Sequence, residues 1–243
     1  MKKIVIIGAT SGLGREVAKL YIAQGWQVGI AGRRTEILES LQKEAPQQVK
    51  AETIDVTQED APSRLLSLIK KVGGMDVLLL SSGIGKQNPQ LEADMELRTA
   101  ATNVEGFMRI ITTAYHFFEK QGYGHIAAIS SIAGTKGLGI APAYSATKCF
   151  QNTYIDALDQ LAHMNGLNIG FTDIRPGFVA TPLLKDDNYP LLMKAPDVAA
   201  QIVRGIARKK RTLIIDWKFR IIVFFWRLIP RCIWLRLKCV KTN

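Results

Sequence analysis

The chain has 243 residues, 47% of them hydrophobic, with 32 Lys and Arg against 21 Asp and Glu and a formal net charge of +11. This length fits one large domain with a full core, since no low-complexity break divides it. The charge is uneven: residues 1–203 carry 20 basic and 20 acidic side chains and residues 204–243 carry 12 and 1, so a neutral domain precedes a basic tail and nucleic acid is not an expected partner.

Cys149, Cys232 and Cys239 show neither metal-ligand spacing nor a disulfide framework, which points to a reducing, cytoplasmic setting and no metal. No apolar run approaches the length of a membrane span. Met1-Lys2-Lys3 leads into a short apolar run that reads as a strand and not as a signal peptide.

The first strand, Lys3 to Ile7, is apolar throughout, as a strand buried on both faces should be. It ends in Gly8-Ala-Thr-Ser-Gly12-Leu-Gly14, and a helical pattern runs on to Ile22. Strand, glycine-rich turn and helix together make a phosphate cradle: the glycines permit close backbone approach, and the helix start offers free N–H groups. Thr10 and Ser11 add hydroxyls, and Leu13 completes the candidate turn.

A second strand, Gln27 to Ala31, leads into Gly32-Arg33-Arg34. An acidic residue about twenty positions past the glycine turn would bond the ribose 2′-OH of NAD. Here two arginines follow a glycine instead, and a guanidinium fork suits a 2′-phosphate, so NADP is the expected cofactor. The third strand, Val49 to Ile54, ends at Asp55-Val56, and the carboxylate is placed to touch an adenine. The fourth, Val77 to Leu80, opens into Ser81-Ser82-Gly83. A long helical stretch, Leu91 to Glu119, holds Asn103 among apolar neighbours, either as a satisfied core amide or as a kink that binds water.

The fifth strand, His125 to Ser130, delivers Ser131, and a helix bearing Tyr144 and Lys148 follows. Four residues apart, Tyr144 and Lys148 share a helix face. A neighbouring ammonium favours phenolate over phenol, which tunes a tyrosine for proton transfer near neutrality. The Ser131 hydroxyl could orient a substrate oxygen. The sixth strand, Asn168 to Ile174, ends in Arg175-Pro176-Gly177-Phe178-Val179-Ala180-Thr181, and Arg211 to Ile215 reads as a seventh. Alternating strands and helices predict a doubly wound parallel α/β sheet of the Rossmann type, with helices on both faces, over residues 1–215. Candidate groups gather at strand carboxyl ends, where such sheets bind ligands.

At this point the chain resembles the short-chain dehydrogenase/reductase family, in its single-domain branch, over about Lys2 to Ile215. Gly8, Gly12 and Gly14 match the family's cofactor turn, and Asp55 its adenine-side aspartate. Asn103, Ser131, Tyr144 and Lys148 match its tetrad in order and spacing. Pro176, Gly177 and Thr181 match its nicotinamide-side motif. The resemblance implies NADP-dependent interconversion of a carbonyl and an alcohol. Tyr144 is then the acid/base, Lys148 lowers its pKa and holds the nicotinamide ribose, Ser131 positions the substrate oxygen, and Asn103 holds a water in a relay through Lys148. Val56, Ser82, Gly83 and Val179 join the expected cofactor contacts. The family's Asn-Asn-Ala-Gly is replaced by Leu80-Ser81-Ser82-Gly83, and a threonine before the first glycine by Ile7.

The expected substrate walls, Gly134 to Pro142 and Thr181 to Ala195, are fairly apolar and suit a lipophilic carbonyl, though an ordinary hydrophobic lid reads the same way. The segment from 216 to 243 stands apart. Trp217 to Val240 carries three of the four tryptophans, and Arg220, Arg227, Arg231 and Lys238 fall on one helical stripe, with Pro230 set to kink or split the helix. This fits an interfacial helix on an anionic membrane, peripheral to its inner face. The alternative is packing on the domain or on a second subunit of a homodimer or homotetramer. A non-catalytic NADP-binding sensor and a nucleotide-sugar epimerase are the competing functions. The first has no need of Tyr144 beside Lys148, and the short chain and glycine spacing disfavour the second.

Overall fold

The computed structural model describes residues 1–184 and 188–237. Seven parallel strands form one sheet: β1 (Lys3–Ile7), β2 (Gln27–Gly32), β3 (Val49–Thr53), β4 (Val77–Leu80), β5 (Tyr123–Ile129), β6 (Asn168–Arg175) and β9 (Thr212–Ile214). Between β6 and β9 lies a separate two-stranded pair, β7 (Val179–Ala180) and β8 (Met193–Lys194). The main sheet runs in the order β3-β2-β1-β4-β5-β6-β9. The chain winds outward from β1 to β3, then crosses back to β4 and winds the other way. That reversal opens a crevice at the carboxyl ends of β1 and β4, where a ligand fits without displacing a connection.

Strand β1 explains the layering. Ile4 and Ile6 enter one buried cluster with Val28, Ile30, Leu38 and Ile202; Val5 and Ile7 enter the other with Leu65, Leu78, Phe107 and Ile110. Successive side chains of a strand point to opposite faces, so an all-apolar strand requires cover on both. Helices α1 (Gly12–Ala23), α2 (Thr35–Glu44) and α7 (Ala195–Ala207) cover the first face. Helices α3 (Ala61–Val72), α5 (Gly106–Gln121) and α6 (Pro142–Met164) cover the second. Register aligns the carboxyl ends: Ile7 pairs with Ala31 and Leu80, and Ile129 with Ile174.

The stretch read as one long helix is cut in three. Helix α4 (Ala93–Ala100) and α5 are joined by a π-helical turn, Ala101–Glu105, with Asn103 inside it. Beyond β9, helix α8 (Trp217–Leu228) ends before Pro230, and a short α9 (Arg231–Trp234) follows. Proline cannot continue a helix, so Arg231 does not extend the stripe begun by Arg220 and Arg227. Lys238 lies outside the described residues. Helix α8 packs on the domain: Phe219 and Val223 are buried against Ile132, Phe178, Met193 and Ile214.

Candidate active site

The glycine turn follows β1 with Gly8 at φ +94°, a conformation side chains rarely adopt, and a Cβ there would lie 2.6 Å from the Ser82 backbone nitrogen. The β4–α4 segment thus presses directly on the turn. Ser11 precedes α1 in an extended conformation and makes no capping bond with its side chain, which leaves the amides of Gly12, Leu13 and Gly14 at the helix start for an anion. Thr181 closes the other side of this cleft, its Cβ 3.5 Å from where a Gly12 side chain would begin. The short pair holding Val179 keeps the 176–181 loop in place.

Arg34 donates to the Thr10 hydroxyl from Nη2 at 2.9 Å and from Nε at 3.2 Å, binding the end of β2 to the turn. Arg33 beside it is exposed and has no partner among the described residues. At the end of β3, Asp55 Oδ1 accepts from the Thr57 amide at 3.0 Å and hydroxyl at 2.8 Å, which fixes the carboxylate at the cleft edge. Val56 is buried against Gly106.

Ser131 starts a single 3-10 turn, Ile132–Thr135; its hydroxyl accepts from the Ala133 amide at 3.1 Å and reaches the Pro176 carbonyl at 3.4 Å. The same hydroxyl lies beside the Tyr144 phenol, near enough to favour its ionised form. Lys148 is buried with its Nζ 5.8 Å from the centre of the Tyr144 ring, donating to the Ile129 carbonyl at 3.0 Å and to Gln151 Oε1 at 2.9 Å. The fold therefore brings Ser131, Tyr144 and Lys148 together from the end of β5 and the first turns of α6. Asn103 joins them across Gly83: a Cβ on that glycine would lie 3.4 Å from both Asn103 Oδ1 and Lys148 Nζ.

Asn103 is fully engaged by protein. Its Oδ1 accepts from the Ile84 amide at 2.9 Å, its Nδ2 donates to the Ile84 carbonyl at 2.7 Å and to Thr147 Oγ1 at 3.1 Å, and its own carbonyl accepts from Gln151 Nε2 at 2.8 Å. Gln151 belongs to none of the sequence motifs, yet its amide bridges Lys148 to the Asn103 backbone. Its spacing, three past Lys148 and seven past Tyr144, places it on their helix face, and that was the available signal. Also unmarked is the buried pair behind the site. Arg175 Nε donates to Asp173 Oδ2 at 2.6 Å, and Ser130 donates to Asp173 Oδ1.

Burial governs the titrations. It pushes the Tyr144 phenol above its usual range, opposed by the Ser131 hydrogen bond. It lowers Lys148 to about 8, opposed by the Asp173 carboxylate. The expected lowering of Tyr144 by Lys148 is absent here, because the ammonium faces the ring and is taken up by Ile129 and Gln151. The result is a phenol held protonated at neutral pH beside a cation close to its titration point, an arrangement suited to giving a proton to an oxygen.

A family model described as short chain dehydrogenase matches residues 2–190. The chain belongs to the short-chain dehydrogenase family. An uncharacterized oxidoreductase of Myxococcus xanthus is 30% identical over 234 residues, covering 93% of this chain and 92% of its own. Dehydrogenase/reductase SDR family member 7B of Mus musculus is 28% identical over 251 residues, covering 93% and 77%. Among solved structures, levodione reductase superposes with a TM-score of 0.78 at 23% identity, covering 88% of this chain and 96% of that one. A structure titled ElxO with NADP bound gives 0.77 at 23%, covering 88% and 97%. This short-chain dehydrogenase thus has the family's parallel sheet, and its relatives carry oxidoreductase names.

Proposed function

We propose that this short-chain dehydrogenase reduces a lipophilic carbonyl compound to an alcohol with NADPH. The observation that carries the reading is the convergence of Ser131, Tyr144 and Lys148 beside a glycine turn whose helix start is uncapped. That turn, the free Arg33 and the Asp55 edge fit a dinucleotide bearing a 2′-phosphate. ElxO holds NADP, and the actinorhodin polyketide ketoreductase of the same fold holds NADPH. Bound in this cleft, the cofactor supplies a hydride to the carbonyl carbon.

The chain's own residues do the rest. Ser131 donates to the carbonyl oxygen and holds it against Tyr144. Tyr144 gives its phenolic proton to that oxygen as the carbon is reduced, leaving an alcohol and a phenolate. Lys148, buried beside the Tyr144 ring, keeps the nicotinamide-side ribose in position. The expected substrate segments carry the apolar side chains Leu138, Ile140, Leu184 and Leu192, which would exclude water and favour an apolar substrate. A purely binding protein would have no use for a protonated phenol beside a buried ammonium.

The test is Tyr144→Phe. Carbonyl-dependent NADPH oxidation should fall by at least about a thousandfold, within the range a general acid contributes, while NADPH affinity by cofactor fluorescence stays within a few-fold. Full turnover by the variant would sink the mechanism.

A further inference from the structure

We propose that the outward face of α8 docks this protein on an anionic lipid surface and brings the mouth of the candidate active site to that surface. Helix α8 is apolar on two opposite sides. Phe219 and Val223, with Trp226, point into the domain. Trp217, Ile221, Phe224, Phe225 and Leu228 lie opposite, between 48% and 64% exposed. Their spacing of i, i+4, i+7, i+8 and i+11 makes a single stripe on a helix. Ile233, Leu235 and Leu237 extend the exposed apolar surface past Pro230. A contiguous patch of this kind on a folded chain marks an interaction surface.

Charge names the occupant. Lys218 flanks the stripe on one side, and Arg220 and Arg227 on the other. From 217 to 237 there are five basic residues and no acidic one. None of the five enters an ion pair among the described residues. A second copy of the chain on this face would set cations against cations, with no carboxylate between them. Exposed aromatic and aliphatic side chains beside a basic rim suit insertion between lipid headgroups. No helix among the described residues is long and apolar enough to cross a membrane, so the contact is peripheral.

The face is fixed to the site. Lys136 Nζ donates to the Ile229 carbonyl at 2.8 Å, and Trp234 Nε1 to the Gly137 carbonyl at 2.8 Å, which joins the segment after α8 to the expected substrate loop. The Phe219 ring fills the space that a side chain on Gly177 would need. Substrate would then enter from the lipid phase. That last clause rests on the carbonyl-reductase reading; the docking does not.

The experiment is co-sedimentation of the full chain with phosphatidylcholine vesicles, with and without phosphatidylglycerol. The parent should bind the anionic vesicles and release at high salt. Phe224→Ser, Phe225→Ser and Leu228→Ser combined should lose binding. Lys218→Gln, Arg220→Gln and Arg227→Gln combined should weaken it by about a hundredfold, at roughly five-fold per charge. Circular dichroism melts close to the parent's would confirm that the variants fold. The docking is overturned if the parent stays in solution with anionic vesicles, or if the Ser variant binds as the parent does. It is equally overturned if the stripe instead mediates self-association that the Ser variant abolishes, or captures an acidic protein with no vesicle binding. Failure of NADPH turnover would remove the reductase reading and leave this result standing.

Discussion

Gln151 is 0% exposed, three residues past Lys148, with both ends of its amide committed: Oε1 to Lys148 and Nε2 to the Asn103 carbonyl. A buried amide placed this way supports the ammonium form of Lys148 and holds the π turn against α6. Carbonyl reduction should lose rate as Lys148 deprotonates, so its alkaline limb is expected near pH 8. Gln151→Leu removes the acceptor and disfavours the charged form. At about 1.5 kcal/mol for a hydrogen bond to a charge, the limb should move about one unit toward acid. The pH profile of kcat/KM checks this; an unmoved limb would make Gln151 a packing residue. The sequence displays Tyr144 and Lys148 because their chemistry is in their side chains. It hides Gln151 because its partner is a backbone carbonyl 48 positions away, and no residue type announces a carbonyl.

At the scale of elements, the turn between β2 and α2 separates its two arginines. Arg34 is held by Thr10, and Arg33 has no partner among the described residues. Arg33→Ser should therefore weaken NADPH binding by about ten- to a hundredfold, the worth of one or two charge-assisted bonds, with NADH affinity unchanged. Parallel fluorescence titrations decide it; equal losses for both cofactors would return Arg33 to the surface. The strands were legible because parallel strands buried on both faces read as apolar runs, as in β1 and β4. The break at Ala101–Glu105 was not, since one extra residue per turn leaves the apolar period of the flanking helices almost unchanged. Nor was the Asp173–Arg175 pair, two charges buried against each other at the end of β6.

The whole molecule should lose stability in mild acid. His125 is buried under Gly170 with Nε2 2.8 Å from Thr172 Oγ1, and burial, with Lys209 adding to it, lowers its pKa to about 4. The unfolded chain takes up that proton near 6.5. Between those values the unfolded state binds more protons, so stability falls as pH drops from about 6.5 to 4, by up to about 3 kcal/mol. Thermal melts of the parent and of His125→Gln across that range should converge as pH falls, the parent losing its advantage. Comparing the two separates this from Asp173, whose pKa is raised by burial and acts in the opposite sense. A constant gap between the curves would refute the assignment. The α/β plan with helices on both faces of the sheet, the glycine turn and the candidate tetrad were all readable along the chain. The face by which α8 packs on the domain was not, because sequence shows a helix's apolar circumference but not which arc the domain covers.

The contact between Phe219 and Gly177 has a practical consequence for anyone editing this chain. Shortening it at Asp216 would remove the ring that backs the 176–181 loop and would empty the pocket shared by Ile132, Phe178 and Met193. A truncated protein that failed to turn over would say nothing about lipids, since its floor would be missing. The last segment is a keystone with one face in the masonry, and only its outer face can be recut without loosening the arch.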